Sequence, residues 1–259
     1  MRKLTSFAAI LLSGFIIAGC SSSSDNELDN IAPQELYSQG QAYLEDGDYN
    51  NAVRYLEAAD AYARQSSYGE QVQLGLIYAN YRLGEYHKAL ENAERFARVF
   101  PTSASMDYVY YLAGLSNARL SDNFIQDFFG VNNASRATEN VRNAYGSFQT
   151  LVQRFPQSKY VQEAQHWMAY LKNRLAENEL QIAEFYMERD AYVAVANRVQ
   201  EMMRFYPDSK ATAEALPLLQ QAFEQMNIQD SAQKVAALIQ ANEGKEFLEA
   251  TKPEYGEQF

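Results

Sequence analysis

Few side chains in this sequence have both the type and the spacing to do chemistry. Cys20 is the single cysteine, so no disulfide can form within one molecule and any thiol chemistry is confined to that one sulfur. His87 and His166 stand far apart, without Cys or His companions at metal-ligand spacing. No Gly-x-Ser-x-Gly elbow, Walker loop or dinucleotide-type glycine cluster is present. The carboxylates are scattered over helical faces, a pattern of solubility and not of a paired-acid site. Asn133-Ala-Ser135 matches a glycosylation sequon but carries no weight alone. The 19 Tyr and 14 Phe offer stacking platforms for sugars. Most, however, fall where a helical repeat needs core, including Tyr43, Tyr55, Phe96, Phe148, Tyr186 and Phe223. The pattern supports no enzyme class, cofactor or metal. The sulfur is the group that needs explaining.

Its context is a leader. Arg2 and Lys3 precede an apolar run, Phe7 to Ile17, broken only by Ser13 and Gly14 and closing in Ile17-Ala18-Gly19-Cys20. The run is too short to span a bilayer comfortably and ends in small residues, so residues 1–19 read as a signal peptide. Ile-Ala-Gly-Cys resembles the bacterial lipobox. That resemblance implies that Cys20 is acylated and becomes the mature N-terminus. Ser21 stands where an Asp commonly retains lipoproteins in the inner membrane, so the implied destination is the outer membrane. Several acyl chains, at about 0.8 kcal/mol per buried methylene, anchor a protein firmly. Residues 20–31 are polar and acidic and read as a lipidated, flexible tether.

The chain carries 22 basic and 33 acidic residues, a net charge of −11; loss of Arg2 and Lys3 with the leader leaves −13. So acidic a protein is a poor candidate for nucleic acid and gains nothing from an anionic lipid surface. Only 12 Gly and 6 Pro in 259 residues favour long helices over a fold of many tight turns.

Internal repetition sets the fold. One phrase recurs: Arg98-Val-Phe-Pro101-Thr-Ser103, Arg154-Phe-Pro156-Gln-Ser158 and Arg204-Phe-Tyr-Pro207-Asp-Ser209. Each Pro biases the preceding residue away from the helical region and stops a helix. Each Ser, two residues later, is placed to cap the next one. Upstream, Leu36, Gly40, Tyr43, Ala52, Leu56 and Ala59 follow the tetratricopeptide pattern of two antiparallel helices, with small residues where the helices approach closely. Leu76, Ala89, Phe96 and Pro101 repeat it, as do Ala144, Phe148, Leu151 and Pro156. Ala183, Tyr186, Val199, Met202 and Pro207 mark a fourth unit, and Leu216, Leu219, Phe223, Ala232, Ala236 and Ile239 a fifth. The expectation is an all-α, tetratricopeptide-type solenoid of about five helix pairs over residues 32–243.

The expected helices are 33–46, 48–64, 68–83, 85–100, 104–121, 137–155, 159–188, 190–206, 210–226 and 228–242. The seventh has no Gly or Pro and keeps one apolar face through Ala164, Trp167, Met168, Leu171 and Leu175, then Ile182, Ala183, Phe185 and Tyr186. One rod of about 45 Å, at 1.5 Å per residue, fits better than two. A break, if present, falls at Glu177–Asn178. Residues 122–136 interrupt the third unit, and inserts in repeat proteins project as loops that often bind. Phe124, Phe128 and Phe129 are therefore a candidate partner patch, against the plainer reading that they tuck onto a neighbouring helix. Glu70 to Leu74 and Ile77 to Ala79 are candidates for lining a concave face. Residues 244–259 are charged and unpatterned and read as a disordered tail.

Several phrases bear a family resemblance. Gln41-Ala-Tyr-Leu-Glu-Asp-Gly47, Gln71-Val-Gln-Leu74, Leu76-Ile-Tyr-Ala79, Asp107-Tyr-Val109, Phe128-Phe-Gly-Val131, Ala183-Glu184, Val193-Ala-Val195, Asn197-Arg-Val199 and Ala215-Leu-Pro-Leu218 resemble the BamD family of outer-membrane β-barrel assembly lipoproteins. The resemblance covers essentially the whole mature domain, with Phe-Phe-Gly-Val and Asn-Arg-Val its most specific parts; the tail has no counterpart. It implies a periplasmic scaffold, without reaction or cofactor, whose C-terminal repeats dock on the POTRA domains of BamA. Its N-terminal repeats would meet unfolded barrel precursors and the lipoprotein BamC. Arg198, beside Asn197, matches the family arginine that pairs with the last POTRA domain. Two other readings remain. One is a tetratricopeptide lipoprotein organising cell-wall synthesis or division proteins. The other is a cell-wall hydrolase or its activator, which the lack of a paired-acid or nucleophile motif disfavours.

Overall fold

The computed structural model describes residues 28–63, 66–122, 131–247 and 250–255, with the backbone alone for 131–137. Among them are ten helices and no strand: α1 Pro33–Glu45, α2 Tyr49–Ala63, α3 Gly69–Arg82, α4 Tyr86–Val99, α5 Met106–Leu120, α6 Val131–Arg154, α7 Val161–Met187, α8 Tyr192–Phe205, α9 Lys210–Gln225 and α10 Gln229–Asn242. Each helix packs on the next along the chain, which makes a helical solenoid of the tetratricopeptide type. Cys20, Phe124, Phe128 and Phe129 lie outside the described residues.

Two kinds of stop alternate along the solenoid. Within a pair, the turn carries one residue in the left-handed region: Gly47 at φ 74°, Gly84 at 78°, Asp190 at 54° and Asn227 at 59°. Each turn is closed by the same long backbone bond. The N–H of Asp48, Glu85, Ala191 and Ile228 donates to the carbonyl of Tyr43, Asn80, Tyr186 and Phe223, at 2.8–3.0 Å. This is the Schellman closure, which satisfies carbonyls orphaned at a helix end. Between pairs, proline does the stopping. Phe100 and Tyr206, each just before a Pro, have left the helical region at ψ 55° and 46°. The capping expectation holds at one of its three serines. Ser209 Oγ accepts from the Thr212 N–H at 3.1 Å because α9 begins at once, with Lys210. At the other two links the helices begin at Met106 and Val161, too far along for Ser103 and Ser158 to cap. Their hydroxyls instead accept from the N–H two residues on, of Ser105 and Tyr160.

The third unit differs from its expected form. α6 starts at Val131, so the last part of the expected 122–136 loop is helical. Val131 to Thr138 contains no Gly or Pro, and nothing local stops the helix from extending backward. α7 is continuous across Glu177–Asn178; its 27 residues make a rod of about 40 Å.

Close approach sits where small residues are. A Cβ on Gly40 would lie 2.7 Å from the Leu56 side chain, and one on Gly114 would lie 2.6 Å from the Phe148 ring. Of the residues expected to line a concave face along α3, Gln71 is exposed and Glu70 and Leu74 are partly so, but the other five are not available. Val72, Gln73, Ile77, Tyr78 and Ala79 are buried, because α3 is an inner helix packed against α1, α2, α4 and α5.

The interior divides into two clusters. One runs from Leu36 to Leu175 and the other from Ala176 to Val235. α7 belongs to both, so it is the spine on which the two halves are built. The tail is only partly as expected. Residues 250–255 have no helix or strand, yet Tyr255 packs on the first cluster.

Candidate interaction site

The second half of α7 poses an electrostatic problem. Its buried stripe runs through Leu171, Leu175 and Ala176, and then Asn178 and Glu179 are buried as well. A buried carboxylate needs a counter-charge, and two neighbouring helices supply one. Arg198 of α8 donates from Nη1 to Glu179 Oε2 at 2.6 Å. Arg142 of α6 places Nη2 3.7 Å from Glu179 Oε1. The Glu179 side chain is 9% exposed and that of Arg198 30%, so the pair straddles the edge of the core. Arg198 also lies 3.7 Å from Glu201, one helical turn on. Tyr206 belongs to the same cluster. Burial raises its hydroxyl pKa above the ordinary range, and the negative charge of Glu179 adds to the effect.

Arg198 is therefore not simply displayed toward solvent. It is one half of a partly buried internal ion pair that ties α8 to α7, while its neighbour Asn197 is exposed. Adjacent residues on a helix point about 100° apart, which explains the split. On the exposed face of α8, Val193, Asn197, Gln200 and Arg204 follow one another at helical spacing. Val193 is 64% exposed and Phe205, at the end of the helix, 57%. Phe185 near the end of α7 is also exposed, with the Arg189 guanidinium 3.5 Å from its ring centroid. Apolar and cationic groups thus border the Arg198 pair, a composition suited to an interface.

A second feature begins at Arg142. That residue also lines a cleft of about 560 Å³ between α4, α5 and α6, with Ala93, Ala97, Tyr110, Asn117 and Gly146 among its walls. Small residues keep it open: a Cβ on Gly146 would meet nothing within 4 Å. Its mixed walls can take an extended chain. Elsewhere, His87 and His166 are exposed, and no group of three or more metal-ligating side chains converges among the described residues. No described helix is long and apolar enough to cross a membrane.

Sequence reading named Arg198 and Asn197 but missed Glu179 and Arg142. The signal for Glu179 was Asn178-Glu179, two polar residues inside an apolar stripe, at the point where a helix break was weighed. No local signal marks Arg142, because its role depends on how α6 lies against α7.

Comparison with known proteins places this geometry in a family. The YfiO family, described as outer membrane lipoproteins, matches residues 29–238. The outer membrane protein assembly factor BamD of Pasteurella multocida is 52% identical over 98% of this chain and 96% of its own. The factor of the same name from Haemophilus influenzae is 45% identical over the same shares. That of Vibrio cholerae is 39% identical over 90% of this chain and 96% of its own. The chain belongs to the YfiO family of outer membrane lipoproteins, the family of the BamD assembly factors.

Proposed function

We propose that this protein is a non-catalytic scaffold for the assembly of β-barrel proteins in the outer membrane. The observation that carries the reading is the 52% identity to a named outer membrane protein assembly factor over 98% of the chain. Acylation of Cys20 anchors the protein to the outer membrane, with the solenoid in the periplasm. The exposed face of α8, with Val193, Asn197 and the accessible edge of Arg198, docks on the POTRA domains of BamA. The α4–α6 cleft, farther toward the N-terminus, offers walls to unfolded barrel precursors and to the lipoprotein BamC. A solenoid suits this work because stacked helix pairs keep their surface fixed while an extended segment is laid along it. No step of this work needs a reaction, a metal or a cofactor.

The ion pair shapes the test. An arginine fork can serve a partner carboxylate while still bonded to Glu179, because it carries five donors. Purified mature protein is titrated with the POTRA domains of BamA, comparing wild type, Arg198→Glu and Glu179→Gln, each first checked for helicity by circular dichroism. Reversing a desolvated partner contact costs about 2–5 kcal/mol, on the order of thirty-fold or more in affinity. The expected result is that loss for Arg198→Glu and near-wild-type affinity for Glu179→Gln. Equal losses in both variants reduce Arg198 to a tie between α7 and α8. No loss in either removes it from the interface.

A further inference from the structure

The last described residues make a contact that no scaffold role requires. The chain leaves α10 at Asn242 and returns across α7 to the end of α5, where Tyr255 enters a socket built by three helical residues and one turn residue. Its ring lies with the Arg119 guanidinium 3.4 Å from the centroid and with the Trp167 ring centroid at 4.8 Å. The Tyr255 hydroxyl donates to Asp122 Oδ1 at 2.8 Å. Lys252 Nζ donates to that same oxygen and sits 4.9 Å from the Tyr255 ring centroid. Arg119 also neighbours the Tyr81 hydroxyl of α3; burial raises the pKa of that phenol and the Arg119 charge opposes the rise.

Three groups thus read two side chains at once. Trp167 packs on the aromatic ring at a 41° tilt and Arg119 holds it by cation–π attraction. Asp122 takes the phenol hydroxyl and an ammonium together. Trp167 is fully buried, so the floor of the socket is rigid. Two donors there, Trp167 Nε1 and Arg119 Nε, are buried without a hydrogen-bond acceptor. Buried donors are ordinarily satisfied, and the seated tail leaves these two without an acceptor. A void of about 10 Å³ lies beside Trp167 and Asp122.

The occupant is held differently from the socket. Residues 250–255 have no helical or sheet bonding, and Asp122 is partly open to solvent. A ligand of this kind stays bound because it is tethered, and short tethers give effective concentrations in the millimolar range. We propose that Arg119, Asp122, Trp167 and Tyr81 form a recognition site for extended peptide bearing a tyrosine three residues after a lysine. The chain's own Lys252–Tyr255 segment fills it as a displaceable ligand. A partner segment of the same chemistry gains the site by replacing the tail.

Trp167 is the single tryptophan of the sequence and lies in the socket wall, so its emission reports occupancy directly. The test uses the full mature chain and a Lys252→Ala, Tyr255→Ala double variant, with the synthetic peptide acetyl-Ala-Thr-Lys-Pro-Glu-Tyr-amide as probe. The vacated variant is expected to show altered Trp167 emission, which the peptide restores. Wild type should need at least tenfold more peptide for a comparable effect. A peptide with Tyr replaced by Ala should fail on both, and Asp122→Asn in the vacated background should weaken binding at least tenfold with the protein still folded by circular dichroism. Unaltered emission in the vacated variant, no response to peptide, or equal peptide affinity for both proteins overturns the proposal. A wild-type chain that sediments as a dimer and becomes monomeric in the double variant also overturns it, since the tail would then sit on a second copy.

Discussion

The two halves of the solenoid share one repeat design and use it differently. In the first half, the inner face is aromatic. Tyr78, Tyr81, Phe96, Tyr108, Tyr111, Phe148 and Trp167 are buried, with Tyr111 stacked on Tyr160 at 4.4 Å. In the second half, the buried cluster consists of Ala, Val, Leu and Met with Phe223 as its single ring. Exposure runs the other way. Among the described residues, the large exposed apolar side chains of the second half are Phe185, Val193, Phe205, Ile228 and Leu238, against Tyr62 and Val99 in the first. The lesson is a division of labour. The first half spends its large side chains on its own interior, whereas the second packs small residues tightly and leaves large ones outside, where a partner can cover them.

The sharpest way to break this comparison is to remove a large ring from the aromatic core. Phe148 is fully buried and fills the space that Gly114 leaves open. Phe148→Ala should cost about 3–5 kcal/mol and lower the urea midpoint of the first half. The circular-dichroism signal should then separate into two transitions, with the second half melting near its wild-type midpoint. A single transition shifted as a whole would show that α7 couples the halves into one unit.

A smaller effect comes from alkali. Tyr108 and Tyr111 have hydroxyls raised well above the phenol's usual range, chiefly by burial and, for Tyr111, by its bond to Glu163. A phenol pKa raised on folding means that the folded state holds its proton where the unfolded state has lost it. The contribution is fully present below the unfolded value near pH 10 and is lost as pH rises beyond it. The loss is about 1.4 kcal/mol per tyrosine for each pH unit above that point. Denaturation followed from pH 8 to 11 should show the first half weakening ahead of the second, and Tyr111→Phe should blunt the slope.

The smallest effect lies at the acid end and joins the second half to the first. Lys172 of α7 pairs with Asp208 in the link before α9. The Lys172 ammonium holds the Asp208 carboxyl below its ordinary range. A depressed carboxyl gives stability above its unfolded value that disappears as pH falls through the folded one. Asp208 is mostly exposed, so solvent screens the pair and Lys172→Ala should cost no more than about 1 kcal/mol at neutral pH. The difference between variant and wild type should shrink as pH falls below the ordinary aspartate value of about 3.9 and vanish once Asp208 is protonated in the folded state too. A cost above that, or one that persists once Asp208 is protonated, would place the pair among the real ties between the halves.

The sequence by itself determined everything that obeys a short period. Gly47, Gly84 and the three Pro links mark most of the helix ends, and unbroken periodicity over 161–187 is one helix because nothing in those residues interrupts backbone bonding. The repeat pattern also placed the small Gly40 at a close approach, where it faces Leu56 of the next helix, but did not single out Gly114, which faces Phe148. The tertiary structure decided what depends on distance along the chain. α3 is an inner helix only because α1 and α5 fold over it. Arg198 meets Glu179 across 19 residues, and the packing of α8 on α7 decides that their charges pair inward and do not both face solvent. Tyr255 meets Asp122 across 133 residues. No periodicity in a charged tail encodes that meeting, because a single side chain finding a socket is a property of the surface on which it lands.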